Sequence, residues 1–242
     1  MRQFKSIQKD DRWILHGKRS EKEEVQLYLK NLGIEYRFSC FSEKNPEGCQ
    51  LLADYLIQID SDYVKANKVL QENCDVRNHP RSCSSYGTNL LNGNGCVKNP
   101  KEAMKYFTKS CELDDAMGCD CAGKIYGGFE THLHDVIEPD PVKGLKYLDR
   151  GCNIKSTSQL FESTESCYAG AFLATSRQIR NYQKSIELGA KACEAGHMNA
   201  CQLVSNVYQK INDQNGYEKF LKKYKELKKQ IDENVELRMQ RT

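Results

Sequence analysis

The chain has 242 residues, 39% of them hydrophobic, and a formal net charge of +3. So small a charge excess argues against nucleic acid or an anionic membrane surface as the main partner, and no apolar run is long enough for a transmembrane segment. The 12 cysteines exceed ordinary usage; none form Cys-x-x-Cys, which leaves structural zinc unexpected and the choice between disulfides and buried thiols.

Residues 1–20, MRQFKSIQKDDRWILHGKRS, carry charges throughout and lack the apolar stretch of a secretory signal, while Asp10 and Asp11 interrupt a mitochondrial presequence pattern. They are expected to form a disordered extension. A helix over 21–36 follows as an N-terminal cap. Two kinds of helix then alternate to the end of the chain. One kind is expected near 46–59, 80–91, 116–127, 164–176 and 197–210. The other is expected near 62–75, 100–113, 141–153, 181–194 and 215–235. Turn formers separate them, as in NGNGCVKNP at 92–100 and EPDP at 138–141. The last helix places Phe220, Leu221, Tyr224, Leu227 and Ile231 on one face. Its lysines suit either the solvated back of a capping helix or an acidic or lipid surface.

Ten cysteines fall into ordered pairs: Cys40 and Cys49, Cys74 and Cys83, Cys111 and Cys119, Cys152 and Cys167, Cys193 and Cys201. From Cys74 onward the first members are spaced by 37, 41 and 41 residues, a period that marks stacked supersecondary units. The flanks keep the same register. Ala66, Ala103, Gly144 and Ser185 stand eight residues before the first cysteine, and Val69, Tyr106, Tyr147 and Leu188 stand five before it. Small residues at fixed places let helix backbones approach, and the large ones fill the grooves beside them. Each pair therefore marks a junction: the first cysteine ends one helix and the second begins the next. A short turn returns them to bridging distance. Such a bridge is worth about 3 kcal/mol in the chain-entropy model. The fold read from this pattern is all-α, an α/α solenoid of about five disulfide-clamped helix-turn-helix units spanning 21–240 as one domain.

The units AMKYFTKSCELDDAMGCDCAGKIYGG and GAKACEAGHMNACQLVSNVY resemble Sel-1-like repeats, in which an Ala-x-x-Tyr/Phe helix leads to a cysteine and a Gly-Cys-x-x-x-Gly-x-x-Tyr helix follows. The stretch VQLYLKNLGIEYRFSCFSEKNPEGCQLLADYL resembles the cysteine-rich mitochondrial branch of that family, whose members assemble cytochrome c oxidase. The resemblance covers about residues 21–230. It implies a superhelical stack and a location in the mitochondrial intermembrane space, entered without a cleaved presequence and secured by the disulfide relay. It also implies protein partners of respiratory complex IV assembly, and haem as a cofactor. Two departures from the family pattern are the insertions around the helix at 141–153 and the cysteines outside the ladder, Cys96 and Cys121.

Cys121 lies two residues past Cys119, about 200° round the helix, and so cannot share Cys111 in the same geometry. Three readings are open for it: pairing with Cys96, a functional thiol suited to redox or copper chemistry, or a buried small residue beside an incidental loop cysteine. His132 and His134 in FETHLHDVIEP are the candidates for a metal or axial haem position, against a plain solvated loop. His79 and His197 each lie four residues before a ladder cysteine, which argues for a structural task at the helix start. There is no nucleophile elbow, P-loop or Rossmann glycine pattern, so enzymatic activity is not indicated. The leading functional reading is a binding scaffold. Its rivals are a secreted bacterial-type repeat protein that binds or hydrolyses β-lactam or peptidoglycan-like ligands, a thiol–disulfide oxidoreductase using Cys96 and Cys121, and a cytosolic adaptor with reduced cysteines.

Overall fold

The computed structural model describes residues 21–155 and 157–239, so the extension expected at 1–20 lies outside the described residues. Eleven α-helices run in sequence among them, with no strand: α1 Glu21–Phe41, α2 Pro46–Gln58, α3 Tyr63–Arg77, α4 Pro80–Asn92, α5 Pro100–Glu112, α6 Ala116–Tyr126, α7 Pro141–Cys152, α8 Leu160–Ala174, α9 Tyr182–Glu194, α10 Met198–Lys210 and α11 Gln214–Met239. Each packs mainly on its sequence neighbours. The even-numbered helices also meet along the stack, α4 on α6, α6 on α8 and α8 on α10, and so form the inner layer of a solenoid. No described helix is long and apolar enough to cross a membrane.

Local chemistry sets the helix ends. Pro46, Pro80, Pro100 and Pro141 each open a helix, where a missing amide costs nothing and the fixed φ helps. The odd-numbered helices from α3 to α9 begin after Asp62, Asn99, Asp140 and Asn181, whose side chains accept an amide of the first turn. Gly93 and Gly95 turn the chain between α4 and α5 with φ of 79° and 64°. At Gly95 any side chain would also strike the backbone of Tyr63.

Three helix boundaries differ from the sequence reading. The first helix does not stop at 36 but runs to Phe41, carrying Cys40 in its last turn. The helix expected from 164 begins at Leu160, because part of the insertion before it adds a turn. The final helix continues to Met239.

The core follows the repeat register. Leu70, Phe107 and Leu148, each four residues before a first cysteine, are fully buried. Full burial of such a side chain is worth roughly 1.5–3 kcal/mol. The small positions work as spacers: a Cβ on Gly123 would enter Leu148, and one on Gly144 would enter the backbone at Gly127. α6 and α7 can cross this closely only because both helices are bare there.

Candidate functional site: a disulfide ladder beside an inner groove

The structure brings all five cysteine pairs into disulfides, with Cα separations of 4.3–4.9 Å. Four junctions share one turn. A residue with left-handed backbone comes first: Lys44, Asn78, Asp114 or Gly196. The next residue, Asn45, His79, Asp115 or His197, caps the following helix with its side chain. The amide of that capping residue returns to the carbonyl just before the first cysteine, at 2.9–3.2 Å. The disulfide thus closes a turn already tied by backbone and side-chain hydrogen bonds.

The two histidine caps are built alike. His79 Nδ1 accepts from Ser82 N at 3.3 Å, and its Nε2 lies 3.2 Å from Glu47 Oε2. His197 Nδ1 accepts from Ala200 N at 3.1 Å, and its Nε2 lies 3.3 Å from Glu165 Oε1. An accepting Nδ1 places the proton on Nε2, which donates to the carboxylate of the preceding inner helix. Both ring nitrogens are therefore engaged.

The Cys152–Cys167 junction is different. Its cysteines are 15 residues apart, and Gln159, next to the start of α8, makes no side-chain cap. Gln159 Oε1 instead accepts from Ala116 N at 2.8 Å, capping the neighbouring helix α6.

Cys96 and Cys121 are free thiols, and the structure does not join them. Burial pushes the Cys121 thiol up to about 12, with the Asp120 carboxylate adding to the effect. Burial also raises Cys96. A redox-active cysteine requires the opposite shift. Cys121 Sγ lies 3.8 Å from Met117 Sδ, and no cluster of metal-binding side chains occurs among the described residues.

His132 and His134 flank the buried Leu133 on an exposed 3-10 turn. His132 Nδ1 lies 3.5 Å from Glu130, and His134 Nε2 lies 3.3 Å from the Gly128 carbonyl. Haem ligation through histidine needs a ring nitrogen aimed into the haem cleft. The four described histidines do not fit: two are caps with both nitrogens engaged, and two sit on an exposed turn.

What the stacking does create is a groove of about 650 Å³ along the inner layer. Asp54 of α2, Ser84, Ser85, Thr88 and Asn89 of α4, Met117 of α6, and Gln159 and Glu162 at the start of α8 line it. Its floor is a hydrogen-bonded lattice. Asn89 Nδ2 donates to Asn67 Oδ1 at 2.7 Å, and Asn67 Nδ2 donates to Asn94 O at 2.7 Å. Arg81 pairs with Asp54 at 2.9 Å, although burial holds the Asp54 carboxyl above its ordinary value. A wall of amides, hydroxyls and one ion pair, with Ile57, Tyr63 and Met117 as apolar edges, suits a polypeptide main chain. Sequence reasoning missed these groove residues. The usable signal was register, since Asp54 and Thr88 both stand five residues past a ladder cysteine.

A family model for the Sel1 repeat matches residues 80–115, 127–154 and 172–197. The cytochrome c oxidase assembly factor 7 homolog of Drosophila melanogaster is 30% identical over 242 residues, covering 88% of this chain and 90% of its own. The cytochrome c oxidase assembly factor 7 of Xenopus tropicalis is 31% identical over 190 residues, covering 77% and 80%. Among solved structures, a Sel1 repeat protein from Oxalobacter formigenes superposes with a TM-score of 0.64 over 86% of this chain and 85% of that one. At 14% identity that likeness concerns the fold. A ladder of clamped Sel1 repeats, matched nearly end to end by these relatives, places the chain in the cytochrome c oxidase assembly factor 7 family.

Proposed function

We propose that the protein serves the assembly of cytochrome c oxidase in mitochondria as a scaffold, holding a protein partner in its inner groove. The observation that carries this reading is the near full-length relationship to proteins named for that role. The groove supplies a physical means, because its hydrogen-bonding wall spans four successive inner helices. The five disulfides support a placement in the intermembrane space, where oxidative trapping by the disulfide relay would retain the chain. The raised thiols of Cys96 and Cys121 favour binding over thiol exchange.

The test is deletion followed by rescue. Cells lacking the protein should show less assembled complex IV on native gels, and the wild-type chain should restore it. A groove-filling variant, Ser85→Arg with Thr88→Arg, should fold with a wild-type circular dichroism spectrum and fail to restore it. Unchanged complex IV after deletion would overturn the assembly role. Full rescue by the blocked variant would overturn the groove as the binding face. Protease protection in intact and swollen mitochondria tests the compartment, where degradation only after the outer membrane is opened is expected.

A further inference from the structure

The outer layer contains a second opening that the repeat pattern explains. Five residues before the first cysteine, the second, third and fourth units carry Tyr106, Tyr147 and Leu188. Tyr106 lies edge-on to Tyr86 at 4.7 Å and donates its hydroxyl to Asp75 at 3.2 Å. Gln71 donates to that hydroxyl at 3.4 Å. Tyr147 stacks on Tyr126 at 5.8 Å, and Leu188 is fully buried. Tyr106 thus closes the seam between the outer helices α3 and α5 and the inner helix α4.

The first unit has Val69 at this position. By register, Arg37 stands where Gln71 does, Phe41 where Asp75 does, and Leu52 where Tyr86 does. Those four residues, with Leu56, line an open pocket of about 380 Å³ between α1, α2 and α3. The pocket is the space that Tyr106 fills one unit later. Beside it Ile34 and Phe38, on the same face of α1 as Phe41, are exposed. Lys65 and Lys68 complete the rim, with Glu72 as its only carboxylate. Lys65 is paired with Asp62 at 2.7 Å and Arg37 with Asp60 at 3.4 Å, so among the described residues Lys68 is the rim cation left without an ion pair above the apolar floor.

We propose that this pocket is a docking site for a tyrosine ring presented by an acidic peptide segment of a partner protein. The ring would repeat the packing of Tyr106, with Arg37 as donor to its hydroxyl in place of Gln71. Carboxylates on either side of the ring would meet Lys68, and Lys65 in exchange for Asp62, since aromatic anchors in apolar pockets set affinity and a charged rim sets which partner is accepted. The site lies on the outer layer and does not depend on the inner-groove reading, so either can fail alone.

The test is a titration of the full, oxidised, isotope-labelled chain with the acetylated pentapeptide Glu-Asp-Tyr-Glu-Asp, followed by amide NMR shifts. Saturable shifts confined to α1, α2 and α3 are expected, with a dissociation constant on the order of 0.1–1 mM for one anchor. The peptide with alanine for tyrosine should give no saturable shift. Lys68→Glu should weaken binding about tenfold, a substantial effect for one rim charge. Val69→Tyr should abolish binding by supplying the ring from within, and should raise the melting temperature by about 2–4 °C as a cavity-filling change. Wild-type affinity in a folded Val69→Tyr protein would overturn the proposal. So would a lowered melting temperature, equal binding of the alanine peptide, or no saturable shift at all.

Discussion

At the Cys193–Cys201 junction eight residues of separation carry the chain from α9 to α10, and the amides of Ala195, Gly196 and His197 all find backbone carbonyls. Gly196 supplies the left-handed step, the His197 amide returns to Ala192, and the His197 ring caps α10 while stacking on Tyr168 at 4.3 Å. The Cys152–Cys167 junction lacks this turn. Its longer chain leaves Leu160 and Phe161 exposed, and Cys152 is the least buried of the ladder cysteines. The contrast separates two uses of the same bond. In the short turn the bridge reinforces a geometry that hydrogen bonds already define. In the long one it shares the placing of α8 with two hydrogen bonds, from Ala116 N to Gln159 Oε1 at 2.8 Å and from Ser163 Oγ to Ile154 O at 3.2 Å.

The largest effect expected is that of full reduction. Five bridges sum to on the order of 14 kcal/mol in the chain-entropy model, as large as the stability of an ordinary domain, roughly 5–15 kcal/mol. Reductant should abolish the cooperative near-ultraviolet circular dichroism melt under conditions where the oxidised protein stays folded. A retained melt would remove the ladder from the account of stability.

Single bridges then sharpen the contrast. Replacing Cys152 and Cys167 together by alanine should cost about 3 kcal/mol, and the same change at Cys193 and Cys201 about 2.6 kcal/mol, because the closed loop is longer in the first case. Hydrogen exchange is the more telling readout. The first turn of α8 should open in the former variant, while the turn at 194–200 should stay protected in the latter. Equal loss of protection at both sites would break the comparison.

A smaller change addresses the cap directly. His197→Ala should cost about 1 kcal/mol in chemical denaturation, the usual worth of an N-cap, and His79→Ala a similar amount. The smallest effect concerns Asp120, which lies between Lys124 Nζ at 2.7 Å and Ser166 Oγ at 3.3 Å. Burial raises its carboxyl above the ordinary 3.8 despite the lysine. The folded state then holds this proton more tightly than the unfolded one. Its contribution is fully present below pH 3.8 and is lost as pH rises through the raised folded value. Asp120→Asn should flatten that part of the stability–pH curve, and an unchanged slope would exclude Asp120 as its source.

The all-α stack was readable because the cysteines mark junctions and the flanking small and large residues recur at fixed offsets. The start of α8 was not, because Leu160 and Phe161 face solvent and give no amphipathic signal. The groove was hidden for another reason. Ser84, Thr88 and Asn89 are ordinary polar residues on one helix, and only stacking sets them beside Asp54 and Gln159. The histidine positions pointed to a structural task, but their partners did not appear in a local reading. Glu47 and Glu165 each precede their histidine by 32 residues, an offset that becomes meaningful only once the repeat is known.

The ladder has a consequence for how the chain acquires its bonds. Each bridge joins cysteines on either side of one turn, at separations of 8 to 15 residues, whereas any other pairing among the ten joins cysteines at least 25 residues apart, as Cys49 and Cys74 are (74 − 49). Loop-closure statistics favour the shorter loops severalfold even before structure forms. The native pairing is therefore also the one random encounter prefers. Oxidation can proceed turn by turn from either end, with little need for an isomerase to sort errors. The two free thiols are the close competitors: Cys96 lies 13 residues past Cys83 (96 − 83), and Cys121 lies two residues past Cys119, where the helix turns it away from Cys111.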